Sequence, residues 1–224
     1  MEVFAGGVEL ETGDRPQTIG EEIANSVSHG AGALAALAAL PVLVGHALRR
    51  GAGGQAILGA AVFGSSVFLL YLGSTLYHAL PHGRVKRAFR IGEHMAIYFL
   101  IAGTYTPFML GVLRGPLGTG LLWTVWLLTG AGVAFKLVGG TRFPRFSTML
   151  YLLMGWIVMI GIVPLWRLMP RPGFYWLVSG GLAYTAGIVF YLRDHRWRYG
   201  HFVWHLFVLA GTACHFCAVL WYSG

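Results

Sequence analysis

The amino-acid sequence predicts an all-α integral membrane protein: a seven-transmembrane helix bundle with its N-terminus cytoplasmic and its C-terminus outside. Three observations predict it. The first is composition: 56% of the 224 residues are hydrophobic, 11% are charged, and mean hydropathy is +0.65. A soluble domain carries about 25% charge, so this chain lacks the charges to cover a surface facing water. The second is a run of seven apolar segments, each near the ~20 residues that cross a bilayer. The third is a lopsided distribution of Lys and Arg between the connecting loops. The 33 glycines follow no period, which excludes collagen-like and low-complexity readings.

The segments run over 27–47, 56–79, 91–112, 117–138, 147–168, 173–192 and 201–222. Turn chemistry or charge separates them: Arg49-Arg50-Gly51, Pro81-His82-Gly83-Arg84, Arg114-Gly115-Pro116, Gly139-Gly140-Thr141-Arg142, Pro170-Arg171-Pro172-Gly173 and Arg193-Asp194-His195-Arg196. The alternation of a β-barrel is absent, so the segments are helices. Residues 1–20 form a polar, acidic tail, and 21–224 form the transmembrane domain. Six of the eight acids lie in the first 22 residues; only Glu93 and Asp194 follow. The N-terminus has no basic n-region, so no cleavable signal peptide is expected.

Eleven Lys and Arg fall on the side of the tail and the even-numbered loops, from Arg15 through Lys86, Lys136 and Arg142 to Arg198. Five fall on the other: Arg49, Arg50, Arg114, Arg167 and Arg171. Positive charge stays in the cytoplasm, which sets the orientation. The basic excess is thus membrane topology and not a nucleic-acid patch. The expected location is the cell membrane, with lipids as partners. Cys214 and Cys217 sit within one apolar run as packing residues and not as a disulfide framework. Trp166, Trp197, Tyr199, Trp221 and Tyr222 suit an interfacial belt. Pro107 is expected to kink the third helix.

On this map the polar residues converge at one membrane face. Glu22, Asn25 and His29 lie at the cytoplasmic start of helix 1, Ser74 and His78 at the end of helix 2, Glu93 and His94 at the start of helix 3, and His201 and His205 at the start of helix 7. Residues four apart share a helix face. An i, i+4 His pair such as His201 and His205 reaches one zinc ion, and His78 is the best-placed third ligand. Three protein ligands plus water is a catalytic zinc arrangement. Glu93 is the one acid within the apolar segments placed to orient or deprotonate that water, and an intramembrane carboxylate is a functional residue by default. Each residue also has a plainer role: Glu93 as an ion pair with Arg87 or Arg90, Glu22 as a helix-start acid, Ser74 bonded to the carbonyl four residues back. His46 and His195 sit in loops and are expected to be solvated, and His82 is at a turn. His215 lies ten residues after His205, about 15 Å along the helix and too far for the same ion.

The motifs resemble those of the hemolysin III proteins, within the progestin and adipoQ receptor family. Glu22-Ile-Ala-Asn25-Ser-Val-Ser-His29 resembles the first motif and Ser74-Thr-Leu-Tyr-His78 the second. Glu93-His94-Met-Ala-Ile-Tyr-Phe-Leu-Ile-Ala-Gly-Thr-Tyr-Thr-Pro107 is similar to the third-helix signature, and His201-Phe-Val-Trp-His205-Leu-Phe-Val-Leu-Ala-Gly to the last. The resemblance covers about residues 20–223. It implies seven helices, an intracellular N-terminus, and zinc on three histidines that map to His78, His201 and His205. It also implies similarity to alkaline ceramidases, which hydrolyse lipid amides. The chain departs from the family at Glu93, where Asp is usual, so its carboxylate reaches one methylene further.

Three function classes follow. The first is a zinc-dependent lipid amide or ester hydrolase, with Glu93 as general base and Ser74 bonding the water or the developing oxyanion. The second is a non-enzymatic sensor or regulator of membrane state, in which Glu93 closes a four-ligand structural site. The third is a pore-forming or cytolytic protein. A pore needs polar residues through the whole membrane depth, and these crowd at one end.

Overall fold

A computed structural model describes residues 15–223 of the chain. Most of the expected acidic tail lies outside the described residues; Arg15–Thr18 have no regular secondary structure, and helix begins at Ile19. The described chain is all α: α1 (Ile19–Arg49), α2 (Gly54–Ala79), α3 (Arg84–Leu110), α4 (Pro116–Gly139), α5 (Pro144–Trp156), α6 (Ile162–Leu168), α7 (Arg171–Tyr191) and α8 (Gly200–Tyr222). A 3₁₀ turn, Ile157–Gly161, joins α5 to α6.

The helix ends follow local chemistry. Thr18 and Glu21 form a reciprocal capping box at the start of α1. Proline in the first turn opens α4, α5 and α7, where its missing N–H has no helical partner to lose. The sequence breaks fall where expected, but three segments differ, the first because its helix begins at Ile19 and not at 27. The fifth is not one helix: the 3₁₀ turn interrupts it, and the Tyr105 hydroxyl steps into the gap. That oxygen accepts from the Val158 N–H at 2.7 Å and shares its proton between the Met154 and Gly155 carbonyls, both at 2.9 Å. Backbone groups freed inside an apolar layer need such a substitute. The third helix begins earlier, at Arg84, and α3 runs on through Pro107 to Leu110.

Five of the helices, together with the unit Pro144–Leu168, are long and apolar enough to cross a membrane, which makes six candidate spans among the described residues. α3 is as long but more polar. This is a multi-pass membrane protein. Large apolar side chains such as Leu34, Trp123, Leu153 and Leu182 are exposed on the outside, where lipid would cover them. α2 packs between α1 and α3, α3 contacts α4, and α8 packs on α7 and closes onto α1. Phe63, Tyr71, Ala102, Phe108, Val125 and Ala218 form part of the core. Lys136, expected in a basic loop, instead lies in the last turn of α4 and is fully buried. The helix continues past it because its apolar stretch runs on through Leu137 and Val138 to the Gly139-Gly140 break.

The α2–α3 contact depends on a small residue. A Cβ on Gly59 would stand 2.6 Å from Pro107 Cα, a backbone atom that cannot swing away. We expect Gly59→Ala to lower stability by roughly 1–3 kcal/mol, the usual cost of overpacking. Gly73→Ala, where a Cβ meets nothing within 4 Å, serves as the control. Thermal unfolding midpoints in detergent should fall for the first variant and not for the second.

Candidate metal centre

Four helices deliver the site. α2 ends, and α1, α3 and α8 begin, at the same end of the bundle, so residues distant in sequence meet there. One ligand atom each from His78, Glu93, His201 and His205 lies within 4.8 Å of the other three. The ring centroids of the three histidines are 4.8–5.2 Å apart. His78, Glu93 and His205 are buried, and His201 is half-buried.

Each of these rings is held through Nδ1. His78 Nδ1 pairs with Glu22 at 2.7 Å, and His201 Nδ1 with Asp194 at 3.0 Å. His205 Nδ1 is 3.3 Å from both the Asn25 carbonyl and Ser28 Oγ. With Nδ1 donating its proton in each case, Nε2 keeps its lone pair for a metal, the arrangement usual for metal-bound imidazole. His78 Nε2 is buried and has no hydrogen-bond partner among the described residues. A buried orphan nitrogen is costly unless something binds it. The donor set, three imidazoles and one carboxylate, suits a borderline-soft divalent ion. The residues present therefore fit a bound metal.

Glu93 is held as well. Its Oε1 accepts the Ser74 hydroxyl at 2.5 Å and lies 3.7 Å from His78 Nε2. Ser74 Oγ in turn stands 2.8 Å from His29 Nδ1. Because the serine proton goes to Glu93, His29 Nδ1 must be the donor in that contact. His29 then stacks on His205, with centroids 3.5 Å apart and planes 6° from parallel. Among the described residues neither Arg87 nor Arg90 forms an ion pair with Glu93. Ser74 uses its proton on Glu93 and not on its own helix.

Glu22 does more than begin a helix. Its second oxygen pairs with Lys86 Nζ at 2.9 Å, and Lys86 also donates to the Leu80 carbonyl at 3.1 Å. That links the starts of α1 and α3 through the end of α2. Glu21 ties α1 to the start of α8: it binds Arg15 at 2.6 and 2.7 Å and accepts the Tyr199 N–H at 2.8 Å. Tyr199 adopts a left-handed conformation (φ 58°), and this contact pins it just before His201.

Sequence reasoning placed His29 at this end but missed Asp194 and Lys86 as parts of this assembly. Asp194 had a signal: it is one of two acids beyond the first 22 residues and precedes His201 by seven positions. His94 bonds the Arg90 carbonyl and stays outside the cluster. His46 is only half-exposed, and His215 is buried away from the cluster.

A cavity of about 480 Å³ opens from this cluster. His29, Glu93, His201 and His205 line one part of it, and side chains such as Leu100, Phe108, Leu165 and Val208 line the rest.

The four motifs all fall within residues 17–216, which match the protein family described as "Haemolysin-III related". The chain belongs to that family. It is 45% identical over 206 residues to "Hemolysin-3" of Bacillus cereus, covering 92% of this chain and 93% of that one. It is 44% identical to the "Hemolysin-3 homolog" of Bacillus subtilis, over 92% and 95% of the two chains. It is 28% identical to the human "Monocyte to macrophage differentiation factor", over 89% and 83%.

Two predictions follow from the anchored rings. His78→Ala, His201→Ala and His205→Ala should each lose most of the metal bound by the purified chain, read by elemental mass spectrometry, whereas His46→Ala should keep it. Glu22→Gln and Asp194→Asn should bind metal roughly 10–100-fold more weakly, the usual loss when the partner of a ligating histidine is altered. Competition with a chelator measures this, and unchanged affinity in both variants would contradict the anchoring role.

Proposed function

We propose that this protein is a zinc-dependent hydrolase of a membrane lipid amide or ester, built as a seven-span bundle with a cytoplasmic N-terminus. The observation that carries the reading is the junction of an anchored three-histidine cluster, a serine-held carboxylate and an apolar cavity. An acyl chain fits the cavity, and the carbonyl linkage would then sit at the cluster. α3 serves as the seventh span in this reading, and the eleven-to-five bias of basic residues supports the orientation.

Zinc, when bound by His78, His201 and His205, supplies a Lewis acid that polarises a carbonyl and lowers the pKa of water toward about 7. The chain's own residues do the rest. Glu93 accepts the proton of the attacking water and returns it to the leaving amine or alcohol. Ser74, which the sequence suggested as a partner of the water or the developing oxyanion, already spends its proton on Glu93 Oε1, so it positions the base. His29 Nε2 is buried without a partner among the described residues and lines the cavity. With Nδ1–H given to Ser74, it is an acceptor suited to a substrate amide N–H. The apolar wall excludes bulk water.

A second reading has its own observation. Glu93 lies within ligand distance of the histidines, and as a fourth ligand it would close the site as a structural zinc centre of a membrane-state regulator. A lytic pore, which the bacterial relatives' name suggests, finds less support: the cavity wall is mostly apolar and the polar groups gather at one end.

Glu93→Gln separates the first two. As general base, Glu93 should be replaceable by Gln without loss of zinc, while fatty-acid release from a ceramide and phospholipid panel falls at least about a hundredfold. As a ligand, its loss should weaken zinc binding, and the wild type should show no turnover. Equal turnover in wild type and Glu93→Gln would overturn the base role. For topology, single-cysteine variants at positions 84, 142 and 196, all exposed, should label only from the cytoplasmic side of oriented vesicles.

A further inference from the structure

The cavity has a second polar station that neither the metal cluster nor the proposed chemistry uses. His215 lines it from α8, ten residues beyond His205, and is 4% exposed. At 1.5 Å per residue the two histidines are about 15 Å apart along the helix. The ring lies flat against α7, and glycine there makes room: a Cβ on Gly180 would come 2.6 Å from His215 Nε2. Nδ1 is buried and has no partner among the described residues. The neighbouring hydroxyls do not supply one, because Tyr184 and Thr212 bond each other at 2.8 Å.

A neutral imidazole has one donor and one acceptor nitrogen. Whichever nitrogen holds the proton, Nδ1 lacks the partner it needs. A buried polar atom of this kind is costly until a hydrogen-bonding group arrives. Apolar acyl carbon offers none, whereas an alcohol on the chain does.

We propose that the inner part of the cavity recognises a hydroxyl group, with His215 Nδ1 forming a hydrogen bond with an alcohol carried on the acyl chain well away from the headgroup linkage, since a hydroxyl can serve the ring in either tautomer. The ligand class is a hydroxylated fatty acyl lipid. This rests on reading the cavity as an acyl-chain site and adds the group that the far end selects. Gly180 is a positioning residue, since it sets the ring's place.

The test uses the purified full chain in detergent with stearic acid and a series of hydroxystearic acids, the hydroxyl moved stepwise from the middle of the chain to its end. Equilibrium binding is read by native mass spectrometry. Wild type should bind one or two neighbouring isomers about tenfold more tightly than stearic acid, the effect of one buried hydrogen bond. His215→Leu should lose that preference while binding stearic acid at least as well. His215→Gln, which keeps an acceptor, should recover part of it, and zinc content should be unchanged in both variants. Equal binding of every fatty acid by wild type means that His215 holds only water and overturns the proposal. So does an undiminished preference in His215→Leu, or no binding of any of them. Selective binding without lipid-amide hydrolysis would sink the hydrolase reading and leave this one standing; hydrolysis without selectivity would do the reverse.

Discussion

His78 Nδ1 lies 2.7 Å from Glu22, and that contact ties the end of α2 to the start of α1. The same carboxylate holds Lys86 of α3. Three helices are thus fixed by one acid that is itself half-buried. Removing one partner of a buried ion pair leaves an uncompensated charge in a medium of low dielectric, which is far worse than the pair is good. The assembly therefore stands as a unit. Asp194 does the same for His201, and the Asn25 carbonyl and Ser28 for His205. The direction of three Nε2 atoms, and so the site itself, depends on these Nδ1 contacts.

Placing so many polar groups at one end of an apolar bundle is costly, and the structure offsets the cost by satisfying them mutually. Glu93 gains a serine hydroxyl, Ser74 gains an imidazole N–H, and His29 gains a stacked partner in His205. The nitrogens left over, His78 Nε2 and His29 Nε2, belong to residues of this cluster. Polar groups that stay unpaired while their neighbours are paired are where a ligand or ion would supply the missing bond. The proposed chemistry uses both: one as a metal ligand, the other toward the substrate.

Much of this was legible in the sequence. Helical spacing placed Ser74 and His78 on one face, and His201 and His205 on another, and loop charges put both pairs at the same end. The helix breaks were legible because Gly, Pro and Arg mark them. What was not legible depended on side-chain reach across helices. Asp194 read as a loop acid, yet it folds back to His201 seven residues on. Lys86 and Lys136 counted as loop charges, yet one is locked to Glu22 and the other is buried at the end of α4. The 3₁₀ break at Ile157–Gly161 has no Pro or Gly at its start, and it became visible only with Tyr105 from α3 beside it. Periodicity reports which face a residue shares and not which partner the face meets.

The most direct test of the central claim is an anomalous-difference map of the crystallised wild-type protein, collected on both sides of the zinc absorption edge. The account predicts one strong peak at the point shared by the Nε2 atoms of His78, His201 and His205, lost below the edge, with the Nδ1 contacts to Glu22, Asp194 and Asn25 intact. A map without a peak there from protein loaded with zinc, or a peak coordinated by Nδ1 or by Glu22, would contradict it.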